Sequence, residues 1–208
     1  MGPHRHHRSP VRHRHPGTAD RNHLPGQRQA RPPHPPLSRR GVGRLGETIH
    51  LARLDGADVV YLATRESHEY LRTISRVGRR VPAHVGALGK ALLAERPDDE
   101  LPLPEDPLPT YTPNTLTTRS SLLADLAEVR ERGYSIDHEE TVTGITGFGF
   151  ALRYGPPATD AISCSVPTSR LTDEHEQRIV AVMRGVRAKI ESLLPLPSRD
   201  VDWREPHP

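Results

Sequence analysis

The run Val77–Glu95, VGRRVPAHVGALGKALLAE, decides the fold. Gly78 and Pro82 break what precedes it. Ala87, Leu88, Ala91, Leu92 and Ala94 then make an apolar face, with Leu88, Ala91 and Leu92 spaced i, i+3, i+4 as on a helix. A strand and turn therefore end near Pro82, and a helix starts within the next few residues with its small residues in the first turn. The first N–H groups of a helix lack internal partners and carry the positive end of its dipole. With Gly86 and Ala87 there, nothing bulky keeps a small anion from those donors. The plainer reading of the same spacing is a short core helix packing its small residues against a sheet.

Outward from this run, the chain reads as hairpins with helices between them. Upstream, Thr48–Leu54 alternates polar and apolar, with Ile49 and Leu51 on one face. Asp55-Gly56 signals a turn, and Ala57–Ala63 is rich in Val and Tyr, so the two segments form a hairpin. Tyr70–Val77 reads as a third strand carrying Leu71, Ile74 and Val77. Downstream, Pro97–Pro113 is crowded with Pro and acids and reads as a surface connection. Thr117 or Thr118 caps a second helix whose apolar face is Leu122, Leu123, Leu126 and Val129 and whose end is Gly133. Tyr134–Asp137 begins another strand. Gly144–Tyr154 and Asp160–Val166 form a second hairpin around Gly155-Pro156-Pro157. Thr172, Asp173 and Glu174 open the last helix, which continues through Ile179, Val182, Val186, Ile190 and Leu193. Such an order predicts an α+β fold, an antiparallel sheet packed by helices. No GxGxxG or P-loop suggests a nucleotide-binding doubly wound sheet.

Charge divides the chain. Residues 1–45 hold ten Arg, seven of the thirteen His, eight Pro and one acid, Asp20, for a formal charge of +9; with a net charge of +3, the rest carries −6. This segment has no aromatic residue, and its few aliphatics follow no period, so it buries too little to offset its ordering entropy. It reads as disordered. A phosphate-touching arm, loose metal binding through His4, His6 and His7, and no selected role are its three readings. One cysteine, Cys164, excludes an intramolecular disulfide and a cysteine-based metal site, and suits a reducing cytoplasm. No apolar run reaches the length of a membrane span, and the N-terminus has no apolar signal-peptide core.

Four ordered blocks carry a family resemblance: GETIHLARLDGADVVYLA (46–63), LRTISRVGRRVPAHVGALGKALLA (71–94), LAEVRERGYSIDHEE (126–140) and AISCSVPTSRLT (161–172). Together they resemble the effector-binding domain of the isocitrate lyase regulator (IclR) family of bacterial transcription factors. The resemblance implies a GAF-like or profilin-like α+β domain over residues 46–195, preceded by the disordered segment 1–45 and followed by a polar tail, 196–208. Family members carry a winged helix-turn-helix ahead of this domain. No such pattern is visible in residues 1–45. Arg, Pro and His without Lys is what a GC-rich gene yields in a shifted frame, so a truncated, misannotated or frameshifted start is expected.

The family's ligand sits at the start of the helix near His84, where backbone amides meet a carboxylate. The resemblance carries this onto the amides of Ala87 and Leu88, onto Asp137 as the acidic position, onto Gly147 where relatives often have Cys, and onto Ser163 and Ser165. Alternation along a strand puts both serine hydroxyls on one face; a solvent-facing strand edge is the plain alternative. Gly147 removes the thiol, the run Gly147-Phe148-Gly149-Phe150 reshapes one wall, and Val166 stands where a Gly usually precedes the Pro.

Three further clusters are weighed. Asp137, His138, Glu139 and Glu140 with His84 have metal-ligand chemistry, but a strand sends Asp137 and His138 to opposite faces, so no metal is expected. Cys164 lies between the two serines and should face the core as a small hydrophobe. Arg76, Arg79 and Arg80 read as a solvated turn rather than an anion grip. The chain is therefore expected to be a ligand-sensing domain, not an enzyme, with no cofactor. It should bind a small organic acid, self-associate as a dimer or tetramer, stay off membranes and reside in the cytoplasm. It should meet operator DNA only through a helix-turn-helix absent from this sequence. The alternative is a stand-alone metabolite-binding domain or an enzyme; no nucleophile–base pair supports the enzyme.

Overall fold

The computed structural model describes residues 45–67 and 76–193. All of the expected disordered segment but Leu45, which is 5% exposed and packs in the core, lies outside these residues, as do the polar tail and most of the expected Tyr70–Val77 strand. Val77 itself sits in a turn and is 68% exposed.

Six strands form one antiparallel sheet. They are β1 (Thr48–Asp55), β2 (Asp58–Arg65), β3 (Arg80–Pro82), β4 (Ser135–His138), β5 (Ile145–Leu152) and β6 (Asp160–Pro167), in the order β3-β2-β1-β6-β5-β4. The Asp-Gly hairpin forms as expected: β1 pairs β2 with Asp55 opposite Asp58, and the register slips by one residue at Leu51/Ala52. The second hairpin pairs Ile145 with Pro167 and Leu152 with Asp160. The non-local pairing is β1 with β6, which sets His50 opposite Ser163 and Thr48 opposite Ser165. Asp160, wholly buried, accepts both Nε and Nη2 of Arg53 at 2.5 and 2.6 Å and the Tyr154 hydroxyl, so the far end of this pair is pinned by satisfied charge.

Three α-helices among the described residues cover the sheet: α1 (Ala87–Leu93), α2 (Arg119–Arg132) and α3 (Asp173–Leu193). Thr118 caps α2 by accepting from the Ser121 amide. Gly133, at φ 79, ends it in the left-handed conformation that a residue without Cβ adopts freely. Each sheet face has its own apolar core. On one, Ile49, Leu51, Phe148, Phe150, Ile162 and Cys164 meet Ile179, Met183, Val186 and Ile190 of α3. On the other, Ala52, Val59 and Ala161 meet Leu88, Ala91 and Leu92 of α1 and Leu122, Leu126 and Val129 of α2. The 97–113 connection is more than a surface crossing: Leu101 and Leu108 are 7% and 1% exposed and belong to this second core.

Helix α1 lies unusually close to the sheet, and glycine is the reason. A Cβ on Gly149 would stand 2.1 Å from the Ala87 carbonyl oxygen and 2.5 Å from Ser135 Oγ. The bare position lets the helix backbone rest on β5, and Ser135 donates its hydroxyl to that same Ala87 oxygen at 2.5 Å.

Candidate functional site

Where α1 meets the sheet, a cavity of about 40 Å³ remains. Its wall takes side chains from successive strands: Asp137 from β4, Ser163 and Ser165 from β6, His50 from β1 and Tyr61 from β2, with Gly147 leaving its place on β5 bare. Ala87 and Leu88 of α1 form the facing side. All six positions named from the sequence therefore line one cavity. The reason is register: pairing Gly147 with Ser165 and with Asp137 places one residue per strand on the α1 face, while Phe148, Cys164 and Ile136 turn to the other core. Cys164 is a core residue, as expected, and burial drives its thiol pKa upward. The two phenylalanines do not reshape the wall, contrary to the sequence reading. They point into the α3-side core, and Gly147 alone of that run contributes to the cavity.

Gly86 provides no side-chain cap for α1, and the Lys90 amide is the first to reach a carbonyl one turn back, Gly86 O at 3.0 Å. The amides of Ala87 and Leu88 precede it. Neither serine hydroxyl has a hydrogen-bond partner among the described residues, although Ser163 is only 3% exposed. Asp137 divides its carboxylate between two tasks. Oδ1 accepts the Glu140 and Thr141 amides at 2.7 and 3.3 Å, closing the turn after β4. Oδ2 faces the bare position of Gly147, where an added Cβ would lie 3.8 Å from it. Burial first, opposed by the Thr141 hydroxyl and reinforced by the charge of Glu140, raises the Asp137 pKa from 3.8 to about 6. His138, the next residue, is exposed on the opposite face, and no cluster of three metal-ligating side chains occurs among the described residues.

His50 was not among the candidate residues. Its ring is buried, shares Nδ1 with Thr64 Oγ1 at 3.1 Å, and meets the Tyr61 ring edge-on at 5.2 Å. Burial, with the nearby Arg79 charge second, lowers its pKa to about 4, so it is neutral at pH 7. Arg79 also lines the cavity, whereas Arg80 turns outward to Asp55 and Asp58 at 2.7 and 3.0 Å. The sequence offered a polar residue at 50 between apolar neighbours as the only hint. Nothing local shows that β6 would lie beside it.

Under the Asp137 turn lies a buried charge cluster. Lys90, fully buried, places Nζ 2.6 Å from Glu140 Oε1 and 3.2 Å from Asp125 Oδ2. It ties α1 to α2 and to the β4–β5 connection. A wider groove of about 510 Å³ runs along α3 beside Tyr134, whose ring lies between the Arg132 and Arg184 guanidinium groups at 5.6 Å each. It is a solvent-facing helix flank, and none of the residues singled out from the sequence reaches it.

The sequence matches the family described as "Bacterial transcriptional regulator IclR C-terminal" over residues 29–192. It is 38% identical over 133 residues to the HTH-type transcriptional regulator XynR of Escherichia coli (strain K12), covering 62% of this chain and 53% of that one. The chain thus spans about half the length of this curated relative. The crystal structure of the C-terminal domain of the E. coli transcriptional regulator KdgR superposes with a TM-score of 0.65 at 34% identity, covering 74% of this chain and 92% of that one. An IclR homologue from Microbacterium hydrocarbonoxydans, solved in complex with 4-hydroxybenzoate, superposes with a TM-score of 0.63 at 26% identity over 74% of this chain and 63% of that one.

Proposed function

This chain belongs to the IclR family of bacterial transcriptional regulators through its C-terminal domain, and we propose that the α1-side cavity is an effector site for a small carboxylic acid. Its relatives are named as regulators and not as enzymes. The observation that carries the reading is the pair of hydroxyls, Ser163 and Ser165, that open on the cavity with no partner among the described residues. A hydroxyl that opens on a cavity without a protein partner is free to donate to an entering acceptor. On this reading Ala87 and Leu88 add amide donors, Asp137 Oδ2 accepts from a ligand hydroxyl, and Gly147 leaves the room.

At about 40 Å³ the cavity holds a few waters, less than an organic acid occupies. Entry of the acid must therefore move a wall. One solvent-exposed part of the lining is the β4–β5 connection, where Val142 is 42% exposed at the cavity's edge. A ligand that binds the parted form better than the closed one shifts the balance between them, and this is the physical content of sensing. In a full-length relative that shift would reposition helix-turn-helix domains on an operator. We place the effector domain at residues 46–195 and expect it to work as a homodimer or tetramer in the cytoplasm. No described helix is long and apolar enough to cross a membrane.

A thermal-shift screen of small carboxylic acids, followed by titration calorimetry, tests the site. At least one acid should stabilise the protein and bind stoichiometrically. If no acid does, the site is misassigned. Sedimentation at high concentration tests self-association, and a strictly monomeric profile contradicts it.

A further inference from the structure

The cavity has two poles. At one end are Asp137, Gly147 and the start of α1; at the other is Arg79, beyond β2. Between them the wall crosses β5, β6, β1 and β2, whose neighbours lie roughly 4.8 Å apart in any sheet. A one-carboxylate ligand held by Ser163 and Ser165 does not span that distance. Two arginines of this sheet are matched by acids. Arg53 is matched by Asp160, and Arg80 by Asp55 and Asp58. The Arg79 guanidinium pairs with no acid among the described residues, while its backbone is fixed: its carbonyl accepts the Tyr61 amide at 3.0 Å, and its own amide donates to Arg76 O at 3.0 Å. Among the described residues it is a cation with no paired acid, bordering a cavity that Ser163 and Ser165 also line.

His50 sits between the serines and Arg79. It faces Ser163 across the β1–β6 pair and shares Nδ1 with Thr64 Oγ1, so Nε2 is the nitrogen left for the cavity. The guanidinium nearby opposes protonation of this buried ring, and a neutral imidazole offers one polar contact rather than a competing charge. The cavity thus runs from an acid end, through hydroxyls and a neutral imidazole, to an unpaired cation. Asp137 disfavours a carboxylate at the first end and Arg79 attracts one at the other, so a doubly charged ligand gains at the Arg79 end a contact that a monoacid lacks.

We infer that the effector is a dicarboxylic acid, one carboxylate held by Ser163 and Ser165, the second by Arg79, with His50 contacting the chain between them. The inference rests on the acid site proposed above and specifies its ligand class. It makes Arg79 and His50 selectivity determinants.

Matched pairs of probes long enough to cross the strands between the serines and Arg79 test it: hexanoate against adipate, and octanoate against suberate, titrated calorimetrically at low ionic strength into the full chain. The diacid of a pair should bind about tenfold more tightly, as expected for one added charge-assisted contact. Raising the salt concentration should shrink the difference, since Arg79 is exposed. In Arg79→Gln the preference should vanish; in Arg79→Lys it should survive in part. Equal binding of monoacid and diacid by the wild type overturns the inference while leaving the acid site standing. So does an Arg79→Gln variant that keeps the full preference. If neither class binds and the Ser163→Ala/Ser165→Ala variant behaves as wild type, the acid site itself fails, and this inference with it.

Discussion

Lys90 Nζ lies 2.6 Å from Glu140 Oε1, with the lysine side chain fully buried and the glutamate's 4% exposed. The pair stands directly behind the turn that Asp137 closes, because the Glu140 amide is one of the two that Asp137 Oδ1 accepts. Lysine and glutamate are removed from water only at high cost, and here Asp125 and the His138 amide share the compensation.

Removing one partner should therefore expose that cost. Lys90→Met keeps much of the side chain's volume but leaves Glu140 and Asp125 without their cation. It should destabilise the protein by about 3–5 kcal/mol in urea titration. Adding Glu140→Gln should recover part of the loss. A single-variant effect below about 1 kcal/mol would place the pair with ordinary surface salt bridges.

Two buried groups should make stability respond to pH in opposite directions. Asp137 moves from 3.8 to about 6 in the fold, so between those values the folded chain binds more protons than the unfolded one, and stability falls as pH rises. His50 moves from 6.5 to about 4, so the unfolded chain binds more protons, and stability rises with pH over nearly the same window. His84, lowered mainly by burial, acts in the same sense as His50. Wild-type melting temperature should thus vary little between pH 4 and 6 from these groups. Asp137→Asn, which keeps an acceptor for the turn, should unmask a rise with pH. His50→Gln should unmask a fall, worth at most roughly 3 kcal/mol. Parallel profiles for the two variants would contradict the assignment.

The serines should act together on ligand and not on fold. Ser163→Ala with Ser165→Ala should weaken binding of a stabilising acid by roughly thirtyfold, at about 1 kcal/mol per hydroxyl. The melting temperature without ligand should stay within a few degrees, because neither hydroxyl has a partner to lose among the described residues.

The two glycines of β5 that face α1 should differ sharply. Gly149→Ala drives a methyl to 2.1 Å from backbone, which cannot yield cheaply, so this variant should lose its cooperative melt. At Gly147 the added carbon would stand 3.3 Å from Ala87 Cβ and Asp137 Cβ, and small shifts absorb that. Gly147→Ala should fold, cost about 1 kcal/mol, and narrow the cavity enough to weaken acid binding. For the same reason Gly147→Cys should crowd the site before it contributes a thiol. Circular dichroism melts and calorimetry on both variants check this.

The sequence revealed what local rules govern. The Asp-Gly hairpin, the Thr118 cap, the Gly133 stop and the inward turn of Cys164 each depend on a few adjacent residues, and each is found. The six residues carried over by family resemblance line one cavity because strand alternation is strict. His50 and Arg79 were missed or set aside for one physical reason. Their place in the wall depends on the pairing of β1 with β6 and of β2 with β3, across long stretches of chain, and no local pattern states that register. The buried role of Leu101 and Leu108 was hidden likewise, by prolines and acids that mark a loop without telling what the loop covers.

Because the wall is built from several strands, its recognition groups come from separate backbone segments, apart from Ser163 and Ser165, which share β6. A substitution at Ser163, His50 or Arg79 changes one functional group and leaves the neighbouring strands' hydrogen-bond ladders untouched. The floor under α1 is the reverse, since Gly149 admits no side chain at all. Selection can therefore exchange ligands on this scaffold one point mutation at a time along the wall, while the seat of the helix stays fixed.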